Sequence, residues 1–268
     1  MYNIGMNEDE WLRAPTPNTL RSYLDMRVSM FRTRWQSWQS YSTHSFSERK
    51  QQLFANACCR RLTPWLPVSF IDWLDWLEDG VDQRRAPPHY PRDALNWDDL
   101  NELGVPPNIA QGVWDAMTRV GRTEGAGRLT VSAAVAETIA QSGLHIELET
   151  WTLAQLAEGR SHPEIPPSVF EEMLLRRREA ELLIHSDILR DIVGNPYRRA
   201  DLQPAWRTRD VTLIAQRMYD DRCFDAMFVL SDALEETGCD TPMILEHCRG
   251  NGMHYRGCWL IDAILGHR

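Results

Sequence analysis

Gly238-Cys-Asp-Thr-Pro-Met-Ile-Leu-Glu-His-Cys-Arg-Gly250 spells out one helix with both of its ends. Thr241 stands where an N-cap belongs, and Pro242 takes the first helical position, where its missing N–H is no loss. Gly250 follows the last turn, and Gly238 closes the segment before it in the same way. Read outward from this unit, the spacing predicts helices over 208–219, 222–237 and 242–249, then a last one over 256–265 that ends at Gly266. Helices joined by connections this short imply an all-α protein, an irregular multi-helix bundle.

The rest of the chain agrees. Residues 8–28 read as one or two short helices around Pro15 and Pro17. Ser45-Phe-Ser-Glu48 is a capping box opening a helix to about Leu62, with Phe54, Cys58 and Leu62 on its core face. A Trp-rich helix over 67–78 follows. Residues 29–44 look like a polar excursion and 80–96 like a Pro- and Arg-rich linker. Two later segments share a plan, with Pro-Pro before a helix and Asn108 or Ser168 as N-cap. Ser168 with Glu171 forms a second capping box. The helix from Ser168 runs to about Val193 and stops at Gly194-Asn195-Pro196. Leu144 to Leu148 is the one short stretch with strand-like alternation.

Composition narrows the function classes. With 268 residues, 43% hydrophobic and 25% charged, the chain can bury one large or two modest cores. A net charge of −9 argues against a surface-wide nucleic-acid binder, because phosphate contacts need basic excess. No apolar run reaches the ~18 residues needed to span a bilayer, and the polar, acidic Met1–Glu10 does not read as a secretory signal. Six cysteines, two of them adjacent at Cys58-Cys59, suit reduced thiols in a cytoplasmic protein. Lys50 is the single lysine, which a GC-rich genome explains more simply than a demand for guanidinium forks.

Several motifs carry a resemblance. Near the N-terminus they are Glu10-Trp-Leu12 and Arg49-Lys-Gln-Gln-Leu-Phe-Ala-Asn-Ala-Cys-Cys-Arg-Arg61. Near the C-terminus they are Gly194-Asn-Pro-Tyr-Arg198, Gly238-Cys239, His247-Cys-Arg249 and His254-Tyr-Arg-Gly-Cys-Trp259. These stretches resemble an uncharacterised α-helical family of planctomycete bacteria, one with no established activity. The resemblance implies a bacterial cytoplasmic protein with a family-like frame at 8–62 and 185–266. The segment 64–184 falls outside it and would carry what is specific to this chain. On this reading residues 1–268 form a single helical domain or two closely packed halves.

The candidate chemistry concentrates at the C-terminus. Cys239-x7-His247-x6-His254-x3-Cys258 supplies two thiolates and two imidazoles, a donor set suited to tetrahedral zinc. No Cys-x2-Cys knuckle is present, and Cys248 and Cys258 fit equally well as small core side chains. Cys258 would fall in the first turn of the last helix, where the helix dipole favours a thiolate. A cysteine-dependent enzyme also needs a base and an oxyanion hole, which the sequence does not display. The Arg176–Arg178 run reads as an exposed face paired with Glu172, Glu179 and Glu181. Of the eleven tryptophans, Trp35 and Trp38 suit a surface, whereas Trp73, Trp76, Trp114, Trp206 and Trp259 suit a core. The reading that fits best is a non-catalytic helical scaffold that binds a protein partner and needs no cofactor. A zinc-stabilised helical protein is the alternative, and a thiol enzyme is third.

Overall fold

The structure, a computed structural model, describes residues 6–22, 24, 46–82, 96–121, 125–161, 163–198 and 201–267, without the side chains of 125–129. Those residues hold twelve α-helices with defined bounds, a further helical stretch at 17–22 and no strand. In chain order the helices are α1 (Glu8–Arg13), α2 (Glu48–Arg60), α3 (Val68–Asp82), α4 (Trp97–Glu102), α5 (Pro107–Val120) and α6 (Gly125–Ser142). They continue with α7 (Leu144–Ala157), α8 (Pro167–Val193), α9 (Arg209–Asp221), α10 (Met227–Glu236), α11 (Pro242–Arg249) and α12 (Trp259–Leu265). The all-α bundle expected from the sequence is the fold observed.

Helix α2 is the hub. Residues 52–59 are buried without interruption, so the middle turns of this helix present no solvent face. It is ringed by α3, α5, α6 and α8, and Ala55, Ala57, Cys58 and Cys59 are small enough to admit them closely. Its buried polar groups are satisfied. Gln52 donates to Asn56 Oδ1 at 2.8 Å and to the Val120 carbonyl at 3.1 Å. Asn56 donates to the Leu74 carbonyl at 3.2 Å, and Lys50 Nζ to the Ile192 carbonyl at 2.9 Å. Where α5 meets α6, a Cβ on Gly112 would lie 2.2 Å from Thr138 Oγ1, so this crossing needs glycine.

Several local expectations are revised. The hydroxyl capping α2 is Ser47, which accepts from the Lys50 N–H; Ser45 lies outside the described residues. Helices α5 and α8 are entered through Pro106 and Pro166, with no side-chain cap from Asn108 or Ser168. The Trp-rich helix continues to Asp82. Leu144–Leu148 is helical and opens α7, one residue after the turn at Gly143. The stretch 29–44, with Trp35 and Trp38, and most of the linker lie outside the described residues. Trp73 and Trp206 are buried, and Trp76, Trp114 and Trp259 pack partly buried against the cores. The Arg176–Arg178 run pairs across helices, with Glu147 of α7 and Glu137 of α6.

Buried side chains form two clusters. The first runs from Trp11 to Val193 and includes α2, α3, α5 and α6. The second, from Trp206 to Ile264, is the C-terminal unit of α9–α12. The segment 64–184 is thus no appendage to the terminal frame, since its helices α3, α5 and α6 surround α2.

An ionic seam joins the two clusters. Asp75, Glu78, Asp79 and Asp82 recur at helical spacing along α3 and meet arginines from both sides. From α2, Arg60 binds Glu78 at 2.8 Å, and Arg49 binds Asp82 at 2.9 Å and Asp262 of α12 at 2.6 Å. From the C-terminal unit, Arg222 binds Glu78 at 2.8 Å and Arg256 binds Asp79 at 2.6 Å. Arg222 ends α9 in the left-handed region at φ 52°, an uncommon conformation for a non-glycine residue. Its three carboxylate partners hold it there.

Candidate metal centre

The loop from Gly250 to Cys258 returns the chain from α11 to α12 and lies against α2 and the end of α8. Gly257, at φ 97°, passes so close to α2 that a Cβ there would come within 2.9 Å of Leu53. Gly194 closes α8 at φ 78°, and its bare Cα lets the Trp259 ring lie over the helix end. These two close approaches bring one side chain from α8 and three from the C-terminal unit to a common point.

The four are Asp191, His247, His254 and Cys258. One donor atom from each lies within 4.8 Å of all the others. His254 Nδ1 is 2.7 Å from Asp191 Oδ1, and His247 Nε2 is 3.5 Å from the same oxygen. His247 Nε2 is 3.1 Å from Cys258 Sγ, which is 3.9 Å from His254 Nδ1. The second oxygen of Asp191 accepts the Tyr255 N–H at 3.0 Å, which fixes the carboxylate plane. Trp259 Nε1–H donates to His247 Nδ1 at 3.3 Å.

The surroundings set the protonation. Burial pushes the His247 imidazole down to about 4; Asp191 opposes that shift and His254 adds to it. Burial pushes the Cys258 thiol well above its usual range, and Asp191 adds to the rise. The Ile261 and Leu260 N–H groups at the start of α12 pull the other way. A neutral imidazole and a thiol that ionises only beside a cation suit ligation, and this group can hold a metal ion. They do not suit nucleophilic attack. Cys258 is 0% exposed, so no acyl substrate reaches the sulfur.

Three of the four residues singled out from the sequence therefore meet, and Cys239 does not. It follows α10, its N–H bonded to the Leu234 carbonyl at 3.0 Å, and it is buried in the second core with Cys248. Asp191 takes the fourth place. It precedes His254 by 63 residues and offered no local signal as a ligand.

A second constellation also escaped the sequence. Ser132 Oγ is 2.9 Å from His185 Nδ1, His185 Nε2 is 3.2 Å from Glu181 Oε1, and Glu181 pairs with Arg61 at 2.8 Å. Burial works against the Glu181 charge, but His185 and Arg61 outweigh it and hold the carboxyl down at about 2. Ser132 and His185 are buried, so the arrangement ties α6, α8 and α2 together without offering a nucleophile to solvent. The i, i+4 spacing of Glu181 and His185 was the only trace of it in the sequence.

Compared with family models, curated proteins and solved structures, the chain matches none of them.

Proposed function

We propose that this is a non-catalytic helical protein of the bacterial cytoplasm that works by binding another protein, with the α7–α8 hairpin as its contact arm. One observation carries this reading. Helix α7 buries only Leu144, and the α8 residues 167–180 bury no side chain at all. Yet this arm displays Ile146 at 59% and Leu153 at 66% exposure, with Leu156, Phe170 and Leu175 also exposed. Several large exposed apolar side chains on helices that bury almost nothing point to a contact surface. The donor cluster and the Ser132–His185 pair are, by contrast, buried or largely so.

The arm lies within 64–184, the segment outside the family resemblance, which suits a frame shared with relatives and a contact particular to this chain. The bacterial cytoplasmic assignment rests on that resemblance and on six unpaired cysteines. It is compatible with the finding that no helix among the described residues is long and apolar enough to cross a membrane. The test is Ile146→Ser combined with Leu153→Ser. Quantitative mass spectrometry of proteins captured by the tagged full chain should show a defined set lost from the variant, at unchanged helicity and thermal midpoint. Identical capture by both proteins would refute the arm.

A further inference from the structure

We propose that Asp191, His247, His254 and Cys258 hold one zinc ion, and that this ion fastens the C-terminal unit to the end of α8. The site stands independently of the partner-binding arm.

Geometry is the first support. Zinc–nitrogen bonds of about 2.0–2.1 Å and zinc–sulfur bonds of about 2.3 Å give a tetrahedron edges of roughly 3.3–3.6 Å. The four edges described above, 3.1, 3.5, 3.9 and 2.7 Å, straddle that range. A row of ordinary hydrogen bonds would leave its first and last members far apart. Here every pair of donors is within 4.8 Å, so the figure closes on a centre.

Donor chemistry is the second. Two imidazoles and a sulfur are poor ligands for calcium or magnesium, which take oxygen, and good ones for zinc. Asp191 and a Cys258 thiolate together balance a divalent charge, which lets the ion sit in a largely dry site. Four protein ligands leave no open position, the pattern of a structural site. Outer support is present for Asp191, whose second oxygen is held by the Tyr255 N–H. For His247 one bond must change. An imidazole giving Nε2 to zinc carries its proton on Nδ1, so loading releases the hydrogen bond from Trp259.

Placement is the third. Asp191 belongs to the first buried cluster's helix, and the other three belong to the chain around the second. An ion bound by all four is a cross-link between them, like the ionic seam on α3 but less sensitive to salt.

The experiment uses the full chain, purified under reducing conditions without chelator. Elemental analysis should find about one zinc per chain. After chelation, cobalt(II) should restore a tetrahedral visible spectrum with a thiolate charge-transfer band. Cys258→Ser should abolish that band and Asp191→Asn should weaken it. Each should lower zinc affinity by more than the roughly 10–100-fold typical of losing an outer-shell partner. Cys239→Ser and Cys248→Ser should keep both the band and the ion. Chelator should lower the thermal midpoint of the wild type and of Cys239→Ser, but not of Cys258→Ser. Three results would overturn the site: a wild type that takes up neither metal, a band lost in Cys239→Ser but kept in Cys258→Ser, or equal metal retention by all variants. The cobalt spectrum of the wild type decides the first without relying on any variant's folding.

Discussion

One helix contains both of the surfaces that matter here. Up to residue 180, α8 is solvated: no side chain is buried, and its arginines reach across to Glu147 and Glu137. From Glu181 to Val193 the same helix is a strut of the first core, burying Ile188, Leu189, Ile192 and Val193 and carrying Asp191 to the donor cluster. The two halves differ in their neighbours, and the outward half is if anything the better helix former. Packed against α2 and α6, the inward half is framework; the outward half meets α7 and the end of α6 only through partly covered side chains such as Arg177. The consequence is that substitutions in the inward half should register in stability and those in the outward half in partner capture.

The sharpest test compares two leucines of that helix. Leu189, 0% exposed, leaves a cavity when truncated, so Leu189→Ala should cost about 2–5 kcal/mol in urea unfolding. Leu175 is exposed, and Leu175→Ala should stay within about 0.5 kcal/mol of wild type. Equal losses at the two sites would erase the distinction between the halves.

A smaller effect comes from Glu181, where the buried half begins. Its carboxyl is held at about 2 against an ordinary 4.5. A lowered value means the folded state gains most when the group is ionised. That stability is fully present above about 4.5, declines as the pH falls, and is gone near 2. Glu181→Gln should flatten the acid limb of the stability curve across that window. It should also cost about 1.5–3 kcal/mol at neutral pH, because Arg61 and His185 lose a charged partner. An unchanged acid limb would mean that the Ser132–His185–Glu181–Arg61 set does not secure the strut.

Much of this architecture could be read from local sequence signals. Glycine and proline punctuation placed α11 at 242–249 as found and α9 and α12 within about three residues, whereas α10 starts at Met227, five residues after the expected 222. Those signals act through neighbouring backbone groups and survive tertiary packing. The caps at Asn108 and Ser168 failed because the residue before a proline-led first turn sets the entry without a side chain. The pairing of Arg176–Arg178 failed for a different reason. Glutamates at helical spacing were available, but α6 and α7 offered closer ones. The donor cluster shows the same limit: His247, His254 and Cys258 were visible because one loop joins them, whereas Asp191 is brought in by the packing of α8. The Arg176–Arg178 run marked part of 167–180 as exposed, but the first turns gave no such sign, since Met173 and Leu174 look as core-like as Leu189. Which half is covered depends on where α2 and α6 end.

The outward half should yield most easily at Arg177. Its Nε donates to the Ala140 carbonyl at 2.9 Å and its Nη1 to Glu147 at 2.7 Å, joining α8 to both α6 and α7. The hydrogen bond from Arg177 lowers the Glu147 carboxyl; burial opposes it, and Arg176 adds to the lowering. Exposed ion pairs are worth at most about 1 kcal/mol, so Arg177→Ala should barely move the global unfolding midpoint. Local opening is a more sensitive readout, because α7 buries only Leu144 and should open before the core does. Hydrogen exchange should therefore speed up several-fold along α7 in the variant, with α2 and the buried half of α8 unchanged. If α2 exchanged faster as well, the hairpin would be a working part of the core, and the division of α8 into arm and strut would have to be abandoned.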